Sequence, residues 1–277
     1  GAAIEMWERD AARSDASAAA AHNLALIAHL TALETPAAPG GEEPWGPSGA
    51  RGDEVESRWL PVFDRWQQVI ESEAFWSRLR TRVEQIDDAQ LTTGSVRRVR
   101  AALPTALLLI NARMACAAVE GGRTEVAQAH VRLLQKAPFH GAARDDALRE
   151  ALKPVRTRIM ASHDTAKRRW EARPQQGARF VRELHQQAKA HIAVIDALLP
   201  PDDPFRVGIH DVLAEAILIG QVAYSTKTND WTGGITLLEL AQELAPSKLL
   251  GDRILDQIEV LKSNAKSGND WCSPGYW

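Results

Sequence analysis

The sequence predicts an all-α protein, an irregular α-solenoid of about ten to twelve helices set as antiparallel pairs and followed by a flexible C-terminal tail. Three observations carry that expectation. Alanine is very abundant while aromatic residues make up only 6% of the 277 positions, the balance of close-packed helices rather than of sheets. Apolar residues recur at steps of three and four along most of the chain. Proline, glycine and asparagine gather in clusters that cut this pattern into helix-sized lengths.

Taken in order, Ser14-Asp15 reads as a cap before an Ala/Leu stretch in which Ala20, Leu24, Ile27 and Leu30 to Leu33 keep helical spacing. TPAAPGGEEPWGPSGARG stops it, so residues 35–53 are expected to form a long loop. The next stretch, VESRWLPVFDRWQQVIESEAFWSRLRTRVEQI, places Trp59, Phe63, Trp66 and Ile70 on one strongly aromatic face. SVRRVRAALPTALLLINARMACAAVEGG continues the helical pattern, with Pro104 marking a kink or a break and Gly121-Gly122 closing the end. Thr124 and Glu125 open another helix, and Asp145 to Trp170 reads as helical with an irregularity at Pro154. Gly177 to Leu199 ends at Pro200-Pro201, after which Asp203 caps and Pro204 starts an apolar helix through Tyr224. GITLLELAQEL and LLGDRILDQIEVLKS complete the helical part, and Lys262 to Gly268 reads as a short flexible spacer. The expected organisation is an N-terminal helical region over 1–92, a repeat region over 93–265 and a tail over 266–277.

Two stretches share one pattern. AAVEGGRTEVAQAHVRLLQKAP sets a small-residue helix, a tight turn and an amphipathic helix ending in Ala137-Pro138. AYSTKTNDWTGGITLLELAQELAP sets the same parts in the same order, ending in Ala245-Pro246. Aligning the Ala-Pro pairs brings Gly121-Gly122 onto Asn229-Asp230 and Leu133 onto Ala241. The unit resembles the tetratricopeptide repeat over residues 106–138 and 213–246, about a quarter of the chain. The resemblance implies stacked helix pairs with a concave protein-binding surface. Trp59, Phe63 and Trp66 followed by EAFW are also similar to helical regions of some bacterial repeat proteins associated with J-domains.

Charge, cysteine placement and missing motifs narrow the function classes. The net charge is −3 with both signs interspersed, which does not suggest a nucleic-acid partner. Arg97-Arg98 with Arg100, and Lys167-Arg168-Arg169, are the densest basic points and read as solvated helix faces rather than phosphate patches. Cys116 and Cys272 stand far apart in unlike settings, which suits a reducing compartment, and Cys116 is expected to be a buried, inert thiol. No apolar run is expected to reach the roughly 20 residues of a membrane span, so the protein is read as cytoplasmic with no membrane partner. Gly-x-Gly-x-x-Gly, the phosphate loop, the nucleophile elbow and Glu-x-x-His are all absent from the sequence. His22 and His29 share a helix face but stand about 10 Å apart, too far to hold one metal between them alone. His210-Asp211 reads as an exposed patch. No cofactor, no metal site and no catalytic set is expected.

Two features remain. Trp59, Phe63 and Trp66 are read as core aromatics, or as the wall of a peptide groove to which His22 and Asn23 contribute. Trp271, Cys272, Pro274, Tyr276 and Trp277 form a tail read as self-packed, as a recognition element, or as a site of chemical modification. The reading that unites them is a non-enzymatic scaffold that binds a protein or peptide and uses WCSPGYW as a second contact. The alternative is a carrier whose tail Trp, Cys and Tyr are modified by a partner enzyme, as in ribosomal peptide precursors.

Overall fold

The computed structural model describes residues 5–6, 17–33, 52–86, 88 and 90–270. Among them there is no strand, and ten long helices account for most of the chain. These are α1 (Ser17–Leu33), α2 (Gly52–Glu71), α3 (Glu73–Gln85), α4 (Thr93–Glu120), α5 (Thr124–Lys136), α6 (Gly141–Ala172), α7 (Gly177–Leu198), α8 (Pro204–Thr228), α9 (Trp231–Leu244) and α10 (Lys248–Asp270), with a 3₁₀ turn at Pro174–Gln176. The expected cap at Ser14-Asp15 and nearly all of the 35–53 loop lie outside the described residues. The chain divides into two compact units, Gly1–Ala151 and Leu152–Trp277. The expected 93–265 repeat region has residues in both.

In the first unit α1 and α5 pack on α2, and α4 packs on α3 and α5. The cause is the α2 sequence: Val55, Trp59, Val62, Phe63, Trp66 and Val69 recur at helical spacing and are all buried. Ser72 then accepts a hydrogen bond from Phe75 N–H and starts α3, while the Trp76 indole donates to the Ile70 carbonyl at 2.9 Å. Arg100 of α4 donates to the same carbonyl at 3.1 Å and pairs with Glu73. Glu56 ties α2 to α5 through Lys136 and Arg132, whose hydrogen bonds hold its carboxyl below the usual carboxylate range.

Thr92 and Ser95 form a reciprocal capping box, and from there α4 runs unbroken to Glu120 with Pro104 inside it. Of the kink or break expected at Pro104, the break is therefore corrected. A mid-helix proline forfeits a backbone bond at a cost of about 3 kcal/mol. Buried Leu107, Leu108, Ala112, Ala115 and Cys116 hold the following turns in place. Pro154 sits likewise within a continuous α6.

In the second unit α7 packs on α8, α8 on α9, and α9 on α10. Asp203 caps α8 by accepting from the N–H groups of Phe205 and Arg206, with Pro204 at the first helical position, as the sequence predicts. Asn229 ends α8 in the left-handed conformation at φ 56°, and the Asp230 side chain accepts from Gly233 N–H to start α9. Leu184, Ile195, Leu213, Ile217, Leu237, Leu238 and Ile254 fill the core. Gly220 lets α8 approach its neighbours closely, since a Cβ there would lie 2.6 Å from Val181 Cγ2 and 3.1 Å from the Trp170 ring.

Both stretches with the shared pattern are two helices joined by a short turn. The same separation, 108 residues, divides Glu120 from Thr228 and Lys136 from Leu244 at the helix ends. The turns differ in detail, with positive φ at Gly122 in one and at Asn229 in the other.

Two further expectations need correction. Lys262 to Gly268 is not a spacer, because α10 runs through it to Asp270. No proline interrupts these residues, Leu261 anchors the preceding turn, and Ser267 Oγ donates to the Ser263 carbonyl at 3.1 Å along the helix. Second, α4 and α8 are each long and apolar enough, by length and composition, to cross a membrane, where no such run was expected. The charges that break up the surrounding sequence leave an 18-residue apolar window in each helix. Between a third and a half of each window is buried inside the protein.

Candidate functional site

The second unit carries an apolar trough. On α8 the residues facing α7 and α9 are buried, but Ile219 and Val222 keep 50% and 42% of their surface exposed. On α10 Val260 is 50% exposed. Leu218, Ile219 and Val222 follow the helical three- and four-residue steps, as do Arg253, Asp256, Gln257 and Val260 on α10. The two stripes line a cleft of about 370 Å³. Its floor is aliphatic, and Arg253, Asp256 and Gln257 supply a polar rim. Arg253 lies 3.6 Å from Glu215 of α8. Such a surface can bury an apolar side chain of a partner while the rim orients its backbone or charges.

The aromatic residues singled out from the sequence lie elsewhere, in the first unit. Trp59, Phe63 and Trp66 are 2%, 0% and 6% exposed, so the groove-wall reading is corrected and the core reading stands. The physical reason is α1, which lies over them. The His22 ring stacks on Phe75 with centroids 5.1 Å apart and meets Trp66 edge-on at 5.8 Å. His29, seven residues along the same face, meets Trp59 at 5.4 Å. Asn23 is half-buried beside His22. Burial pushes the His29 pKa below its ordinary value, and its Nε2, like the Trp66 Nε1, is buried with no hydrogen-bond partner.

His210 and Asp211 are not an exposed patch. His210 Nε2 lies 2.8 Å from Asp196 Oδ1 of α7 and its Nδ1 3.2 Å from the Leu244 carbonyl at the end of α9. Asp211 accepts from Ser247 N–H. The pair thus ties helix ends together. Trp271, Cys272, Pro274, Tyr276 and Trp277 lie outside the described residues.

Sequence reasoning missed the buried pair of Asn111 on α4 and His130 on α5, with Asn111 Oδ1 and His130 Nδ1 3.0 Å apart. No local motif marks it, since the two residues are 19 positions apart on different helices. Burial drives the His130 pKa down to about 4, with the Arg123 charge adding to the effect. Cys116 is buried as expected, and burial raises its thiol pKa to about 12, with Glu120 contributing. Among the described residues no three His, Cys, Asp or Glu side chains gather as a metal site. No protein-family model, curated protein or solved structure matches the chain.

Proposed function

We propose that the protein is a non-enzymatic helical scaffold that binds an apolar or amphipathic segment of a protein partner in the trough between α8 and α10. The observation that carries this reading is the aliphatic stripe of Ile219, Val222 and Val260, exposed beside a polar rim rather than buried in the second unit's core. The two helix-turn-helix stretches with helix ends 108 residues apart support a degenerate repeat architecture of antiparallel, solenoid-like pairs. The tail residues Trp271 to Trp277 follow directly on α10 in sequence and serve as a second contact with the same partner. A reducing, cytoplasmic setting suits the free Cys116. In this reading α4 and α8 are core helices, consistent with Leu107 and Leu108 on one and Leu213 and Ile217 on the other being buried.

The test is affinity capture from the native host with the intact chain, with an Ile219→Asp/Val260→Asp variant and with residues 271–277 deleted, followed by binding of the recovered protein in purified form. The charged variant is expected to keep its thermal midpoint, because both side chains are half exposed, and to lose the partner at least tenfold. The tail deletion is expected to weaken binding less. Capture that is indifferent to the trough variant contradicts the proposal. A native-host mass change confined to residues 271–277 would replace it with the modification-substrate reading.

A further inference from the structure

A second cavity in the same unit, independent of the trough, has a different chemistry. It lies at the corner between the end of α6 and the start of α7, measures about 460 Å³ and is lined by Arg168, Arg169, Ala172, Arg173, Gln176, Arg179 and Phe180. Four of these seven residues are arginines and none is acidic. Glu183, one turn further along α7, bridges two of them, accepting from Arg169 Nη1 at 2.6 Å and from Arg179 Nε at 2.7 Å. The Arg169 guanidinium also lies over the Phe180 ring, 4.2 Å from its centroid. These contacts orient Arg169 and tether Arg179 while using one N–H of each for Glu183, so most of their donors remain for another acceptor. Arg168 donates its Nε to the Asp164 carbonyl, an oxygen that neutralises no charge. Arg173 has no ion pair among the described residues. The seven lining residues thus carry four positive charges and no negative one, and the Glu183 carboxylate beside them offsets one of the four.

An ordinary solvated basic face would alternate with acids and stand convex to water. This one is concave, and Arg169 within it is held by both an ion pair and a ring. We propose that this corner is a binding site for a multiply charged phosphate group, carried by free pyrophosphate or by a small phosphate ester. Guanidinium forks match the paired oxygens of such a group, and Arg169, held by both Glu183 and the Phe180 ring, presents its fork with part of its side-chain freedom already lost. Arg168 and Arg173 close on the anion from the α6 side.

Calorimetric titration of the intact chain tests this with inorganic pyrophosphate and glycerol 3-phosphate as probes and glycerol as the neutral control. Saturable binding with one site per chain is expected for at least one phosphate probe, and none for glycerol; which probe binds more tightly tells whether the source is a free polyphosphate or an ester. An Arg168→Gln/Arg173→Gln variant should lose affinity about tenfold or more with an unchanged thermal midpoint in the absence of ligand, since neither arginine braces the corner. An Arg97→Gln/Arg98→Gln variant, which removes two of the three arginines of the basic cluster on α4, should bind as the unaltered protein does. The proposal is overturned if neither probe saturates at millimolar concentration, or if the two variants lose affinity equally, which would show diffuse counter-ion binding.

Discussion

His130 shows how a single buried group sets a measurable property of the whole protein. Its folded-state pKa of about 4 lies below the unfolded value of about 6.5, so between those limits the unfolded chain binds more protons. The stability that this provides is complete above pH 6.5 and is lost as the pH falls towards 4. His29, lowered for the same reason, adds in the same direction. Stability should fall by about 2 kcal/mol between pH 7 and pH 5 from His130 alone, and denaturant titrations of the unaltered protein and of His130→Gln should show a shallower fall in the variant. Gly220 makes a second residue-level test. A Cβ 2.6 Å from Val181 Cγ2 cannot be accommodated without displacing α7 or Trp170, so Gly220→Ala should destabilise by about 1 to 3 kcal/mol in the same titration. Neither effect was legible in the sequence, because each depends on a neighbour from another helix. The aromatic face of α2 was legible, since Trp59, Phe63 and Trp66 announce their shared direction by spacing alone; that α1 covers them is a tertiary fact.

At the scale of elements, caps were the most readable signals. Asp203-Pro204 started α8 where the residues said it should, because both the side-chain acceptor and the fixed proline φ act within one turn. Asp230 acts similarly for α9, and Asp230→Ala should cost about 1 kcal/mol through loss of its bond to Gly233 N–H, readable as a lower thermal midpoint. Prolines and small polar residues inside helices were the misleading signals. Pro104 and the Ser/Asn/Gly content of 262–268 weaken a helix by amounts that packing elsewhere offsets, so composition overstated the interruptions. Helical Cα chemical shifts should therefore persist through Ser263, Ala265 and Ser267; random-coil values there would contradict a continuous α10.

For the molecule as a whole, the class all-α followed from composition and periodicity, while the surfaces available for function did not. The trough needs α8 and α10 side by side, and the arginine corner needs the turn at Pro174–Gln176 to bring Arg173 and Arg179 around one cavity. Lys167-Arg168-Arg169 drew attention as a charge run, but only the fold adds the other two arginines and Phe180. Partner binding through the trough, as proposed, is open to methyl NMR of isoleucine- and valine-labelled protein titrated with the purified partner recovered by capture. The methyls of Ile219, Val222 and Val260 are expected to shift or broaden on binding while the core methyls of Ile195 and Ile254 stay in place. Perturbation that spares the three trough methyls would contradict it.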